Sequence, residues 1–201
     1  MREPTDFLLF QLSLPQAPAP NLVAMLTQFC DTNPVPIQLD RLAWSKATQE
    51  VYLYGRLPTR TLLDSHDLTP VANLLARTFP QATQPRASRL QKVFGSAGHS
   101  GTEAPVFHYV VEMDPEEGWM PEISRWYDTE HMPGLAAVPG CICAMRCINH
   151  DHGPLSLACY DLMSDSTLGS APWLAVRSTS WSDITRPHFT NTKRTMMQVL
   201  A

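Results

Sequence analysis

The densest group of reactive side chains lies in RWYDTEHMPG, residues 125–134, where Trp126, Tyr127, Asp128, Glu130 and His131 come just before Pro133 and Gly134. A histidine takes or gives a proton near neutral pH. A carboxylate can orient it, and two rings offer a flat apolar wall. The combination suits removal of an acidic proton from a compact, partly aromatic or conjugated molecule. On an ideal helix residues four apart share a face, while neighbours diverge by about 100°. The run then separates into a Tyr127/His131 stripe and a Trp126/Glu130 stripe, and only one need face a substrate. The competing reading is structural: Trp126 as core, Glu130 and His131 as groups decorating a helix end. Asp128 reads as a solvated helix residue.

Other candidates are scattered. In VFHYVVEM, alternation places Phe107, Tyr109 and Val111 on one face of a strand and His108, Val110 and Glu112 on the other. If the mixed face looks into a cavity, His108 is a second acid/base group; otherwise it is a histidine hydrogen-bonded between sheets. Arg146, among small and apolar neighbours, needs a carboxylate: a substrate acid, Glu112 or Asp161. Tyr127 or Arg146 would then stabilise developing negative charge. Trp181, Arg186 and His188 follow the last helix in a loop. There Arg186 could anchor an anionic substrate, and His188 could serve as another acid/base group. Trp173 reads as core and Arg177 as surface or capping. The turn NHDHG carries His150, Asp151 and His152, which read as exposed. Cys141, Cys143 and Cys147 would share one strand face, but their spacing is not that of a zinc pair, and they read as apolar filler.

These residues need elements to hold them. DFLLFQLSL, IQLDRLAWS, EVYLYGRL and SRLQKVF read as strands in the first half, with helices at NLVAMLTQFC (Asn21 as N-cap) and TPVANLLARTF (Thr69 as N-cap, Pro70 following). In the second half VFHYVVEM, GCICAMRCIN and PLSLACYDLM read as strands. PEEGWMPEISRWYDTEHM and APWLAVRSTSW read as helices, the former bent or late-starting at Pro121. HFTNTKRTMMQVL closes the chain without a clear type. The Gly/Ser-rich FGSAGHSGTEAP, residues 94–105, separates the halves as a flexible loop. Both halves therefore read β-α-β-β-α-β, the ferredoxin-like pattern. Such a unit covers one sheet face with its helices and leaves the other bare. The expectation is an α+β chain with an N-terminal unit at 1–95, a linker at 96–105 and a C-terminal unit at 106–201, packed sheet to sheet as a fused barrel.

Composition narrows the function. The 201 residues are 44% hydrophobic and carry a net charge of −4 with no basic run, which argues against nucleic acid and anionic membranes. No apolar stretch reaches transmembrane length, and the N-terminus does not read as a signal peptide, so the default location is cytoplasmic. Five cysteines, an odd number, speak against a disulfide framework. No phosphate-binding loop, dinucleotide fingerprint, nucleophile elbow or zincin motif occurs.

The run WYDTEHMPGLAAVPGCICAMRC, followed by PWLAVRSTSWSDITRPHF, resembles the dimeric α/β-barrel superfamily, and within it the EthD-like branch. Trp126, Glu130, His131, Pro133, Pro139, Gly140 and Arg146 carry the likeness. The resemblance covers roughly residues 106–190 and strengthens His131. Because the first half lacks Glu-His-x-Pro, a site is expected once per chain, on the C-terminal side. The superfamily spans isomerases, cyclases, dehydratases, cofactor-free monooxygenases and haem-binding members. The leading expectation is a cofactor-free isomerase, cyclase or lyase using His131 and His108, with Trp126, Glu130, Trp181, Arg186 and His188 around the substrate. An oxygenase acting on a phenol and a non-catalytic ligand- or haem-binding barrel stay open, as does pairing of two chains into a homodimer.

Overall fold

The structure is a computed structural model that describes residues 1–201. The chain forms two compact units, each built on the ferredoxin-like pattern. The first contains β1 (Glu3–Ser13), α1 (Pro20–Asp31), β2 (Gln38–Trp44), β3 (Glu50–Leu63), α2 (Leu68–Thr78) and β4 (Thr83–Ala97) as far as Lys92, together with residues 149–152 and 197–201. Its antiparallel strands lie in the order β4-β1-β3-β2. The second contains β5 (Phe107–Pro115), α3 (Met120–Trp126), α4 (Met132–Ala136), β6 (Cys141–Asn149), β7 (Ser156–Leu162), α5 (Ala171–Arg177), α6 (Ser180–Thr185) and β8 (Phe189–Val199). Its order, β8-β5-β7-β6, is the same. The tandem α+β architecture read from the hydrophobic pattern is therefore the architecture observed. No helix is long and apolar enough to cross a membrane.

Boundaries moved where caps and side-chain contacts decide them. Pro20 opens α1, with Ala19 rather than Asn21 before it. A proline fits the first helical turn because its missing N–H would be unpaired there anyway. α2 starts at Leu68, ahead of Thr69, because Asp64 and Asp67 cap a preceding single turn reciprocally. β4 runs on to Ala97, so Phe94–Ala97 belong to a strand rather than to a linker. Gly98 donates its N–H to the Ile142 carbonyl at 2.8 Å, and a Cβ there would collide with the Cys141 backbone. The glycine that read as flexibility thus permits a close approach to β6.

A bulge between Cys141 and Cys143 sets two residues of β6 against one step of β7. The bulge undoes the shared face expected for the three cysteines. Cys141 joins the helix-side core, and burial raises its thiol to about 12. Cys143 turns to the other face and donates to Asp161 Oδ2 at 3.2 Å.

In the first unit the space between sheet and helices is filled. Phe10 meets Phe29 edge-on at 5.0 Å, and Phe79 lies 6.0 Å from Phe29. Beside this core, Asp151 is not the exposed turn residue its surroundings suggest. Both its oxygens accept from Arg89, at 2.9 Å from Nη2 and 3.0 Å from Nε, and Arg89 also donates to the Leu63 carbonyl at 2.6 Å. The Arg89 side chain is 4% exposed. Removing one member of a buried pair strands the other charge. Asp151→Ala should therefore cost about 3 kcal/mol or more in urea unfolding. Arg89→Met combined with Asp151→Ala should recover most of that loss, since apolar replacement of a whole pair is near neutral.

Candidate active site

The run that first drew attention spans the end of α3, a single widened turn over Tyr127–His131, and the start of α4. In this turn the Met132 amide donates to the Tyr127 carbonyl, five residues back instead of four. Pro133 has no N–H to offer the Thr129 carbonyl, which weakens the four-residue ladder just where the turn widens. Such bulges recur at functional sites.

The widening changes which side chains meet. The His131 ring stacks on Trp126, five residues earlier, with centroids 4.1 Å apart and planes at 24°. Tyr127 stands edge-on to His131 at 5.6 Å. The two stripes expected of an ideal helix are thus merged around one imidazole. Glu130 holds the assembly from behind: its Oε1 accepts from Trp126 Nε1 at 3.1 Å and from Thr179 Oγ1 at 2.6 Å. Glu130→Ala should leave the buried Trp126 N–H unpaired and destabilise the protein by about 1–3 kcal/mol. Glu130→Gln, which keeps an oxygen acceptor, should cost less in the same thermal scan.

His131, Trp126 and Tyr127 line a cavity on the helix-covered side of the second sheet, together with Tyr109, Tyr160, Trp173 and Phe189. The space left for the centre of a water molecule is about 30 Å³, and the cavity opens to solvent at its mouth. Arg177, Arg186 and Arg194 also line it. His131 Nδ1 and Trp173 Nε1 are buried without a hydrogen-bond partner. Native interiors seldom leave such atoms unpaired, and these two lie in the lining of one cavity. Burial, then the nearby Arg186 and Arg177 charges, lower the His131 pKa to about 3. The imidazole is therefore neutral through the whole physiological range, with a nitrogen free to act as base. Burial drives the Tyr127 and Tyr160 hydroxyls upward, so both stay protonated donors.

Among the side chains expected at a site, Trp126, Tyr127, His131 and Arg186 come together here. The others lie elsewhere, each for a visible reason. His108 is on the opposite face of β5 from Tyr109 and Val111, with Nδ1 2.8 Å from Asp161 Oδ1. The strand alternates as expected, but the cavity forms on the apolar, helix-covered face, not on the mixed one. Arg146 shares the helix side, yet its guanidinium is engaged by both oxygens of Asp128 at 2.9 Å and lies over the Tyr127 ring at 5.6 Å. Its partner is neither a substrate acid nor Glu112 nor Asp161. Asp128, expected in solvent, is instead what orients Arg146 on Tyr127. Glu130 supports the site without lining it. Trp181 donates to Glu122 at 2.8 Å and meets Arg125 outside the cavity. His188 stacks on Trp119 at 3.3 Å and reaches Glu116, also outside the cavity.

Sequence reasoning missed Arg177 and Arg194. Arg177 could have been found, because it falls one helical turn after Trp173 and so shares the face of a core residue. Arg194 lies on β8, whose type the pattern left open. APWLAVRSTSW is also two helices rather than one: Thr179 caps α6 by accepting from the Ser182 amide at 3.1 Å. That break carries Thr179 to Glu130.

No family model and no curated protein matches the chain. Solved structures do. An anthrone oxidase-like protein superposes with a TM-score of 0.65 at 12% identity, covering 98% of this chain and 92% of its own. A proposed monooxygenase from Fusobacterium nucleatum subsp. nucleatum gives 0.65 at 10% identity, with 98% and 93% covered. A ferredoxin fold protein related to antibiotic biosynthesis monooxygenases, from Listeria monocytogenes, gives 0.54 at 6% identity, with 98% and 96% covered. At these identities the likeness establishes the fold alone, the tandem ferredoxin-like architecture.

Proposed function

We propose that the second unit is a small-molecule enzyme in which neutral His131 removes a proton from an aromatic, enolisable substrate. The observation that carries this reading is the buried, unpartnered His131 Nδ1 in a cavity walled by rings and arginines. Proton removal leaves a carbanion or phenolate. Guanidinium groups and the Trp173 N–H are placed to steady that charge, and such donors are most effective where water is excluded. Trp126 fixes the imidazole plane by stacking, and Tyr127 closes its edge. The likeness of the Glu-His-x-Pro run to the EthD-like branch supports the same histidine.

The fate of the anion decides the reaction class. The oxygenase reading is the one favoured here, since relatives in fold include an anthrone oxidase-like protein and proteins linked to monooxygenases. In that case a substrate methylene, once deprotonated, gives one electron to dioxygen. The two radicals join, and the peroxide collects the proton from the imidazolium. The net change is R2CH2 + O2 → R2CHOOH, and loss of water yields R2C=O. An isomerase, cyclase or lyase is the second reading. It is favoured by the one free base in the cavity, which can return the proton it took.

Oxygen uptake separates the two. With anthrone as probe and no added flavin or metal, the oxygenase should consume one O2 per product. Unchanged turnover under argon would instead establish proton-transfer chemistry alone. Saturable binding with no product in either atmosphere would leave a carrier and sink both. A pH profile adds a further expectation. Because His131 must be neutral, kcat/KM should stay flat from pH 5 to 8, with its acid limb near the lowered pKa of about 3 rather than near 6.5.

A further inference from the structure

Several arginines of the chain are held by carboxylates, but those lining this cavity are not. Arg89 is paired with Asp151, Arg146 with Asp128, Arg60 with Asp6 and Arg125 with Glu122. Arg177, at the end of α5, and Arg194, on β8, have no carboxylate partner. Arg186, in the turn after α6, donates only to the Arg177 carbonyl, at 3.4 Å. Asp183 favours the Arg186 charge from a distance but forms no ion pair with it, while Arg177 and Arg194 oppose it. Asp165 lies beside Arg177 in an outer cleft and likewise forms no ion pair with it. Three guanidinium groups from three elements thus converge on one cavity without counter-charge. Like charges held this way are unfavourable unless something anionic completes them.

We propose that the substrate is an aromatic acid whose carboxylate is held by Arg177, Arg186 and Arg194 while its ring enters against Trp126 and Phe189. This rests on the proposed site and names the class of molecule it takes. A guanidinium fork matches a carboxylate with two parallel hydrogen bonds, which fixes orientation as well as charge. The ring then lies beside the His131 imidazole. A cavity walled by aromatic side chains and open at its mouth suits a flat aromatic ring. Sulfate or phosphate alone would satisfy the charge but leave the aromatic wall uncovered.

The test uses 2-naphthoate, 2-naphthamide and inorganic phosphate as probes on the full chain, read by tryptophan fluorescence and calorimetry. The expected result is binding of 2-naphthoate at least about tenfold tighter than the amide, as a charge-assisted hydrogen bond supplies. Arg177→Gln and Arg194→Gln should each erase most of that ratio. Arg194 is exposed and Arg177 half-buried, so both variants should fold, and circular dichroism checks this. A second readout is the His131 imidazole signal by NMR: 2-naphthoate should raise its titration midpoint by offsetting Arg186 and Arg177. Equal affinity for acid and amide, or an unchanged ratio in both variants, would overturn the proposal. So would phosphate binding as tightly as 2-naphthoate. Its failure is separable from failure of the enzyme reading: anthrone, which carries no carboxylate, would still be turned over in a His131-dependent way.

Discussion

Replacing His131 with glutamine should lower kcat by about 10²–10⁴-fold, the usual contribution of a positioned general base. Glutamine keeps a polar, planar end at the position but cannot take a proton. The fold should persist, because the ring packs in a wall formed mainly by Trp126 and Tyr127, which remain. The diagnostic pattern is a fall in kcat with KM nearly unchanged, since the residue acts on the reacting proton rather than on the bound charge. A correctly folded His131→Gln protein with full turnover would refute the mechanism. His108→Ala offers a contrast. It breaks the contact with Asp161 on the other face of the sheet, so its effect should appear in stability and not in the pH dependence of turnover.

The second large effect concerns acid stability. His131 titrates at about 3 in the folded protein, against 6.5 for an unperturbed histidine. Between these values the unfolded chain binds a proton that the native state refuses, so the native state loses stability as pH falls. Above pH 6.5 the residue is neutral in both states and contributes no slope. The loss should reach about 3 kcal/mol by pH 4 and about 4 kcal/mol by pH 3. His131→Gln lacks this titration. Unfolding free energies of the two proteins, measured in urea at steps from pH 7 to 4, should therefore converge or cross as acid is added. A constant difference across that range would mean that His131 is not held neutral by its surroundings. Carboxylates such as Asp64, lowered to about 2, contribute acid sensitivity of their own, but equally in both proteins.

The elements were legible because hydrophobic periodicity is a local property. Phe7 to Leu14 alternate or run apolar as a strand must, and Pro20 and Pro121 lie where helices begin. The repeated β-α-β-β-α-β order followed from that, and with it the tandem fold. Trp126, Tyr127 and His131 were legible as candidates by type and by proximity in the chain, Arg186 by type and its place in a loop. The first half has no Glu-His-x-Pro run, and Phe10, Phe29 and Phe79 pack between its sheet and helices.

The sequence could not say how these residues face one another. The two-stripe reading of Trp126–His131 assumed four-residue hydrogen bonding. One five-residue bond, from Met132 to Tyr127, brings Trp126 and His131 into contact. Arg146 and Asp128 are 18 residues apart and meet only because β6 lies beneath the widened turn. His108 was placed on the correct strand face, but which face carries the cavity depends on where the helices leave room. Arg177 and Arg194 became site residues only through convergence of α5 and β8. Composition and periodicity thus determined the elements and the types of chemistry available. Long-range packing decided which imidazole is buried without a partner and which arginines around the cavity lack a counter-charge.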